Sequence, residues 1–317
     1  MVDVAQFLVN GLVFSSIVVL GSIGLSIVYG IADFANFAHG DTMTVGAYAA
    51  LVVVDVVGRS GPELLGIPVG FYLGLLAGIA VAAAVAVATE LVVYRPLDVD
   101  ALSMLIASIG VAFVYRATVQ AGFGEDFRSF GVERSGPLPA VQETLGVAVT
   151  ERAVVIVLSA VVLVVGLHLL LQYTTLGRKM RATADNPDLA EACGVRTARV
   201  RVATWVIGAG LAGAGGVFLG LFNQLGPRMG FNLLLVVFAA VILGGIGSVY
   251  GAVAGGVVIG MVTQLVPLAA DLGALLPLVP AGVGVPVDSS YGPAVAFVIM
   301  VAILLVRPRG IAGGSGS

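Results

Sequence analysis

Apolar residues in this chain follow one another for about twenty positions, stop at a short polar or glycine-rich interval, and resume. A run of that length, at about 1.5 Å per helical residue, matches the roughly 30 Å hydrocarbon core of a bilayer. The pattern predicts segments at 6–29, 42–57, 68–93, 102–122, 153–172, 200–223, 231–244, 251–268 and 291–306. The runs are continuous and do not alternate apolar with polar, which argues against a barrel and for helices that satisfy their own backbone. Two pieces, 42–54 and 231–243, are too short to cross alone as straight helices. The expected fold is an all-α integral membrane protein, a polytopic bundle of about eight or nine transmembrane helices with broken or short helices near the midplane.

Composition agrees and removes the alternatives. Of 317 residues, 59 % are hydrophobic and 44 more are glycine, while only 10 % are charged. An ordinary soluble domain carries roughly 25 % charged residues. Mean hydropathy is +1.10. The net charge of −3 offers no basic field for nucleic acid. One cysteine, Cys193, excludes a disulfide framework, and no Cys/His cluster has metal-ligand spacing. There is no G-x-x-x-x-G-K-[ST] loop, so no cofactor is expected in this chain and energy must come from an ion gradient or another subunit. The N-terminus lacks the basic stretch of a cleavable signal peptide, so the first apolar run is expected to stay as a span.

Basic residues set the expected orientation. Arg178, Lys179, Arg181, Arg196, Arg199 and Arg201 lie in one inter-span segment, and Arg307 and Arg309 follow the last apolar run. Both groups are expected to face the cytoplasm. With nine crossings the N-terminus is then external, as is the 123–151 segment, which mixes both signs of charge with turn residues. The chain is read as a single transmembrane permease domain, 1–311, with a cytoplasmic loop at 173–199 and a flexible tail at 312–317.

Three intervals carry candidate function. The first, from Tyr29 to Asp41, joins two apolar runs yet holds Asp33, Asn36, His39 and Asp41. Polar groups at membrane depth are costly and usually face a cavity or the bundle interior; the alternative is an interfacial loop in headgroup water. The second, Leu243 to Gly251, interrupts two apolar runs with Gly244, Gly245, Gly247 and Ser248. Such glycines break a helix and admit close backbone approach, or serve only tight packing, as expected for Gly255, Gly256 and Gly260. Interrupted short segments in two halves of a chain, roughly 6–122 and 153–306 here, point to a transport path. Asn36, Phe37, His39 and Gly40 are expected to line the path or its gate, with 244–248 approaching from the other half.

In the third interval, Asn186-Pro187 reads as an N-cap and first-turn proline, Asp188 favours the helix N-terminus, and Gly194 can close the C-terminus. This predicts a helix of about two turns over 187–193, too short to stand alone. It needs a docking surface; the alternative is a solvated loop that only anchors topology.

Other features are structural by expectation. Glu90 is expected to pair with Arg95, and Arg116 to snorkel toward the outer surface. Trp205 and Tyr173 bracket the inner interface, and Cys193 is an inert small residue. Gly208 to Gly213 fits G-x-G-x-x-G, but no strand precedes it.

Taken in order, Tyr29-Gly30, Asn36-Phe-Ala-His-Gly40, Tyr94-Arg-Pro96, Leu105 to Gly110, Thr175-Leu-Gly-Arg178, Asp185 to Gly194, Ala240 to Ser248 and Arg307-Pro308…Gly310-Ile311 resemble a known family. They are similar to the permease subunits of branched-chain amino acid ABC importers, the smaller or LivH type of two paralogous permeases. The resemblance implies a path for leucine, isoleucine or valine, a second permease subunit, two cytoplasmic ATPases that hydrolyse the ATP, and an external solute-binding protein. Given such an ATPase, the short helix and its basic lead-in are expected to dock on it through Arg178, Arg181, Asp185, Asn186, Asp188, Leu189, Glu191 and Gly194, because so short a capped helix needs a covering partner. Related permeases carry urea or short-chain amides, and a self-sufficient ion-coupled transporter using Asp33 or Glu90 is the rival architecture.

Overall fold

The computed structural model describes residues 4–59, 61–97, 99–132, 136–139, 142–143, 146–267, 291–306 and 310–311. Arg307, Arg309, Pro308 and the 312–317 tail, all used in the sequence reading, lie outside them. The described elements are α1 (Val4–Ala32), α2 (Ala38–Val57), a two-stranded antiparallel ribbon of β1 (Glu63–Leu64) and β2 (Ile67–Pro68), α3 (Val69–Thr89), α4 (Ala101–Phe123), α5 (Glu151–Tyr173), α6 (Thr175–Asp185), α7 (Pro187–Ala192), α8 (Thr197–Phe222), α9 (Met229–Gly244), α10 (Val249–Leu265) and α11 (Gly292–Val306). Six of these, α1 to α5 and α8, are long and apolar enough to cross a membrane, and α9, α10 and α11 are shorter apolar helices.

The bundle has two recognisable ends. At one, the ribbon, the described residues of the 123–151 segment and the 223–228 turn meet, joined by a backbone bridge between Arg128 and Leu225 and by Gln6, which donates to the Ala148 carbonyl and accepts from its N–H. At the other lie α6, α7, the α1–α2 break and the α9–α10 break.

Helices α1 and α8 form the centre, being 89 % and 83 % buried over their most apolar windows. Small residues permit this. Gly208 of α8 faces the Gly24 carbonyl of α1, Gly213 faces Gly78 of α3, and Gly256 and Gly260 of α10 sit on Val19 and Ser15 of α1. Backbones that approach so closely gain dispersion contact where no hydrophobic force exists between lipid and helix. The outer faces of α4 and α5 instead present Phe113, Val114, Val161 and Val162 outward, as a lipid-facing surface should.

Two expected roles are corrected. Glu90 does not pair with Arg95 through its side chain; its carboxylate, 1 % exposed, meets the Arg201 guanidinium at 2.5 Å. Glu90 ends α3 in register with that helix, on the side that meets α8, and a five-residue π-helical continuation, Glu90–Tyr94, follows it, in which the Arg95 N–H bonds back to the Glu90 carbonyl. Arg116 does not snorkel either. It donates to both carboxylate oxygens of Asp41, at 3.1 and 2.9 Å, and lies 4.4 Å above the Phe231 ring. Opposite charge and a π-face supply inside the bundle what headgroup water would supply at its rim. Trp205 is likewise internal, stacked on Tyr94 at 5.4 Å, whereas Tyr173 is exposed as expected.

The Asp41–Arg116 pair is buried, so each partner alone would be an uncompensated charge. Asp41→Leu or Arg116→Met should each cost about 3 kcal/mol, and the double variant should recover most of that loss. Thermal unfolding of the detergent-solubilised protein reads this directly; singles that unfold like the double variant would contradict the pairing.

Candidate functional site

The first break is built around Asn36. Helix α1 ends at Ala32, Asp33 takes a left-handed conformation with φ of 58°, and the chain turns back into the bundle before α2 begins at Ala38. The Asn36 side-chain oxygen accepts from the Ala38 N–H at 3.0 Å and from the Tyr94 hydroxyl at 3.3 Å. The Phe37 N–H donates to the Ser108 hydroxyl at 3.0 Å. Side chains thus satisfy backbone donors that the interrupted helix leaves open, groups whose burial without a partner costs several kcal/mol.

His39 is 2 % exposed and its Nε2 lies 2.9 Å from the Gly21 carbonyl in the middle of α1. A carbonyl only accepts, so Nε2 carries the hydrogen. One residue on, Gly40 crosses Gly230 at the start of α9 so closely that a Cβ on Gly40 would lie 2.5 Å from the Gly230 oxygen. The Gly230 N–H donates to Thr44 Oγ1 at 3.1 Å. Phe37 packs on Phe238 of α9, with ring centroids 5.0 Å apart.

The second break separates α9 from α10. Gly245 and Gly247 have φ of 103° and 82°, conformations that favour glycine, and Ser248 caps α10 by accepting from the Gly251 N–H at 3.0 Å. Gly244 and Gly251 face each other with no space for a side chain on either. Gly247 lies beside Gly30 near the end of α1. The 244–248 turn therefore meets the beginning of the first interval, whereas Asn36 to Gly40 meet α9 at Gly230 and Phe238.

A cavity lies at each end of this assembly. At the ribbon end, about 790 Å³ opens above α9, between the ends of α4 and α8 and parts of α1, α10 and α11. It exists because α9 has only 16 residues, about 24 Å of helix, and leaves part of the bundle's thickness unfilled. Its polar lining, including Gln120, Glu125, Asn223, Arg228 and Asn232, escaped sequence reasoning. Most of these residues sit in turns between spans; Asn232 inside an otherwise apolar run was the available signal. A smaller cavity of about 200 Å³ at the other end is lined by Gly30, Gly247, Tyr250, Met180 and Arg181.

The third interval folds as two helices. The basic lead-in is α6, capped by the Thr174 hydroxyl, which accepts from the Gly177 N–H. Asn186 caps α7, accepting from the Leu189 N–H at 2.9 Å, with Pro187 in the first turn. The Val195 N–H reaches back to the Ala190 carbonyl and Gly194 has φ of 84°, the six-to-one closure that suits glycine. Arg181 donates to the Leu171 carbonyl at 2.5 Å, so its charge is turned toward the bundle. Arg178, Asp185, Asp188, Glu191 and Gly194 are exposed, as is Leu189 at 62 %.

Among the described residues no group of three His, Cys, Asp or Glu side chains could hold a metal ion. What the geometry defines is a multi-pass α-helical membrane protein with two interrupted helix pairs, a cavity at each end and a projecting short helix. The chain belongs to the branched-chain amino acid transport system permease component family, whose model matches residues 7–304. It is 30 % identical to the high-affinity branched-chain amino acid transport system permease protein LivH of Escherichia coli K12, over 97 % of this chain and 95 % of that one. Identity to BraD of Pseudomonas aeruginosa is also 30 % with the same coverage, and to the probable LivH of Methanocaldococcus jannaschii 28 %, over 97 % and 92 %. A solved chain described as PsaBC from Streptococcus pneumoniae in complex with Fab is 12 % identical with a TM-score of 0.48 over 96 % of this chain and 93 % of that one, a weak likeness.

Removing the cap should loosen α7 without unfolding the bundle. Asn186→Ala is expected to cost the local helix about 1 kcal/mol, or roughly fivefold faster hydrogen exchange at Leu189 and Ala190. Unchanged exchange at those amides would mean that the Asn186 contact does not hold the helix.

Proposed function

We propose that this chain is the permease subunit of an ATP-driven importer of branched-chain amino acids, with its α6–α7 end in the cytoplasm, its C-terminus inside and its N-terminus outside. The observation that carries the coupling half is α7 itself. It is capped at both ends yet exposes Leu189, and a two-turn helix gains too little from its own hydrogen bonds to persist uncovered. Burying a leucine side chain is worth about 1.5–3 kcal/mol, enough to hold such a helix in a cleft. That cleft is on a cytoplasmic ATPase, with Asp188 and Glu191 meeting complementary charge and Arg178 reaching the rim or the anionic headgroups. The relatives named for branched-chain amino acid transport support the substrate, and the family supports a second permease, two ATPases and an external solute-binding protein as partners. No cofactor belongs to this chain; ATP is bound and spent by those ATPases.

The passage runs from the larger cavity, past the Phe37–Phe238 contact, to the smaller one beside Gly30 and Gly247. Asn36, His39 and Gly40 set that contact's position, and the turn at Gly244, Gly245, Gly247 and Ser248 borders the inner exit. A cavity at each end of the bundle suits a path that opens to the two sides in turn.

In the purified complex, Leu189→Asp or Gly194→Val should leave the chain inserted but reduce co-purification of the ATPases and abolish substrate-stimulated ATP hydrolysis. Wild-type association and stimulation in both variants would reduce the loop to a topological anchor.

His39→Gln and Asn36→Ala should lower transport per folded complex while the ATPases stay bound; normal transport in both would remove these residues from the path. Uptake of urea that excess leucine does not inhibit would replace the amino-acid reading with the amide one. Robust uptake under an ion gradient by the chain alone would replace the importer reading altogether.

A further inference from the structure

The larger cavity combines a cation, an anion and an apolar wall. Arg228 and Glu125 both line it, and among the described residues neither takes part in an ion pair, unlike Asp41, Glu90, Arg116 and Arg201. Phe14, Phe222, Leu233 and Val236 give the same cavity an apolar wall. A ribbon-end loop whose only task was solubility would not need to set both signs around an apolar recess.

We infer that this cavity is a substrate way-station that takes a free α-amino acid as its zwitterion, with Arg228 toward the carboxylate, Glu125 toward the ammonium group and the apolar wall against an aliphatic side chain. This deepens the amino-acid reading above and rests on it. Three complementary features on one concave surface suit a molecule carrying the same three, and suit urea or a simple amide poorly, since neither carries a charge. Both charged side chains are exposed and stay hydrated, so each contact is weak. A weak site is what passage demands: a solute held tightly here would not move on.

Position supports the role. Gln120 borders the cavity and stands one helical turn beyond Arg116 on α4, so the recess adjoins the buried Arg116–Asp41 pair.

The test is the number of leucine molecules moved per ATP hydrolysed by the complete complex in proteoliposomes, driven by its leucine-loaded binding protein. Arg228→Gln and Glu125→Gln should each lower that ratio about threefold, the effect of losing one hydrated charge contact, and Arg228→Lys should restore most of it. If uptake and stimulated hydrolysis fall in parallel, the ratio is unchanged, the residues dock the binding protein, and the site is refuted. An unaltered ratio at full uptake refutes it equally. A wild-type complex that moves no leucine would overturn the amino-acid reading and this site with it, whereas wild-type uptake with unaffected variants overturns the site alone.

Discussion

A helix interrupted inside an apolar bundle exposes backbone N–H and C=O groups that lipid cannot satisfy. Everything distinctive here follows from how the chain meets that constraint. Asn36 accepts from the Ala38 N–H at the start of α2 while holding the Tyr94 hydroxyl, and Ser108 takes the Phe37 N–H. Ser248 does the same for α10. The first break is thereby tied to α4 and to Tyr94, and the second is held by the first turn of its own helix, so the interruptions become fixed joints. A fixed joint can hold Phe37 against Phe238; an unsatisfied loop could not stay at that depth.

Charge follows the same rule. Asp41 with Arg116 ties α2 to α4, and Glu90 with Arg201 ties α3 to α8 just beyond α7. Next to the second pair, Trp205 stacks on Tyr94, and Tyr94 reaches Asn36. A continuous set of contacts thus leads from the start of α8, next to the projecting helix, to the first break. These contacts provide a physical route along which a pull on α7 would reach Asn36.

Hydropathy alone located the spans and identified 231–243 as short, because the lipid-length requirement acts on each segment independently of its neighbours. The α7 cap was legible for a similar reason: Asn186, Pro187 and Gly194 act on backbone a few residues away. The 42–54 piece was misjudged as too short, since α2 starts four residues earlier at Ala38, inside the polar interval. Partners across the bundle were not legible. Nothing local distinguishes Arg116, which meets Asp41 on another helix, from an arginine that snorkels, and nothing near Glu90 in sequence announces that it meets Arg201 on α8. The large cavity was hidden as well, because it is produced by the length of α9 relative to its neighbours.

The account's central claim is that solute passes the contact between Phe37 and Phe238. The most direct measurement places cysteines at those two positions in a Cys193→Ser background, joins them with a short cleavable thiol cross-linker, and follows leucine uptake by the complete complex. With the ring centroids only 5.0 Å apart, the link should form readily. The account predicts that uptake falls to background when the link is present and returns when it is cleaved. Uptake at the unlinked rate with the two residues joined would contradict it.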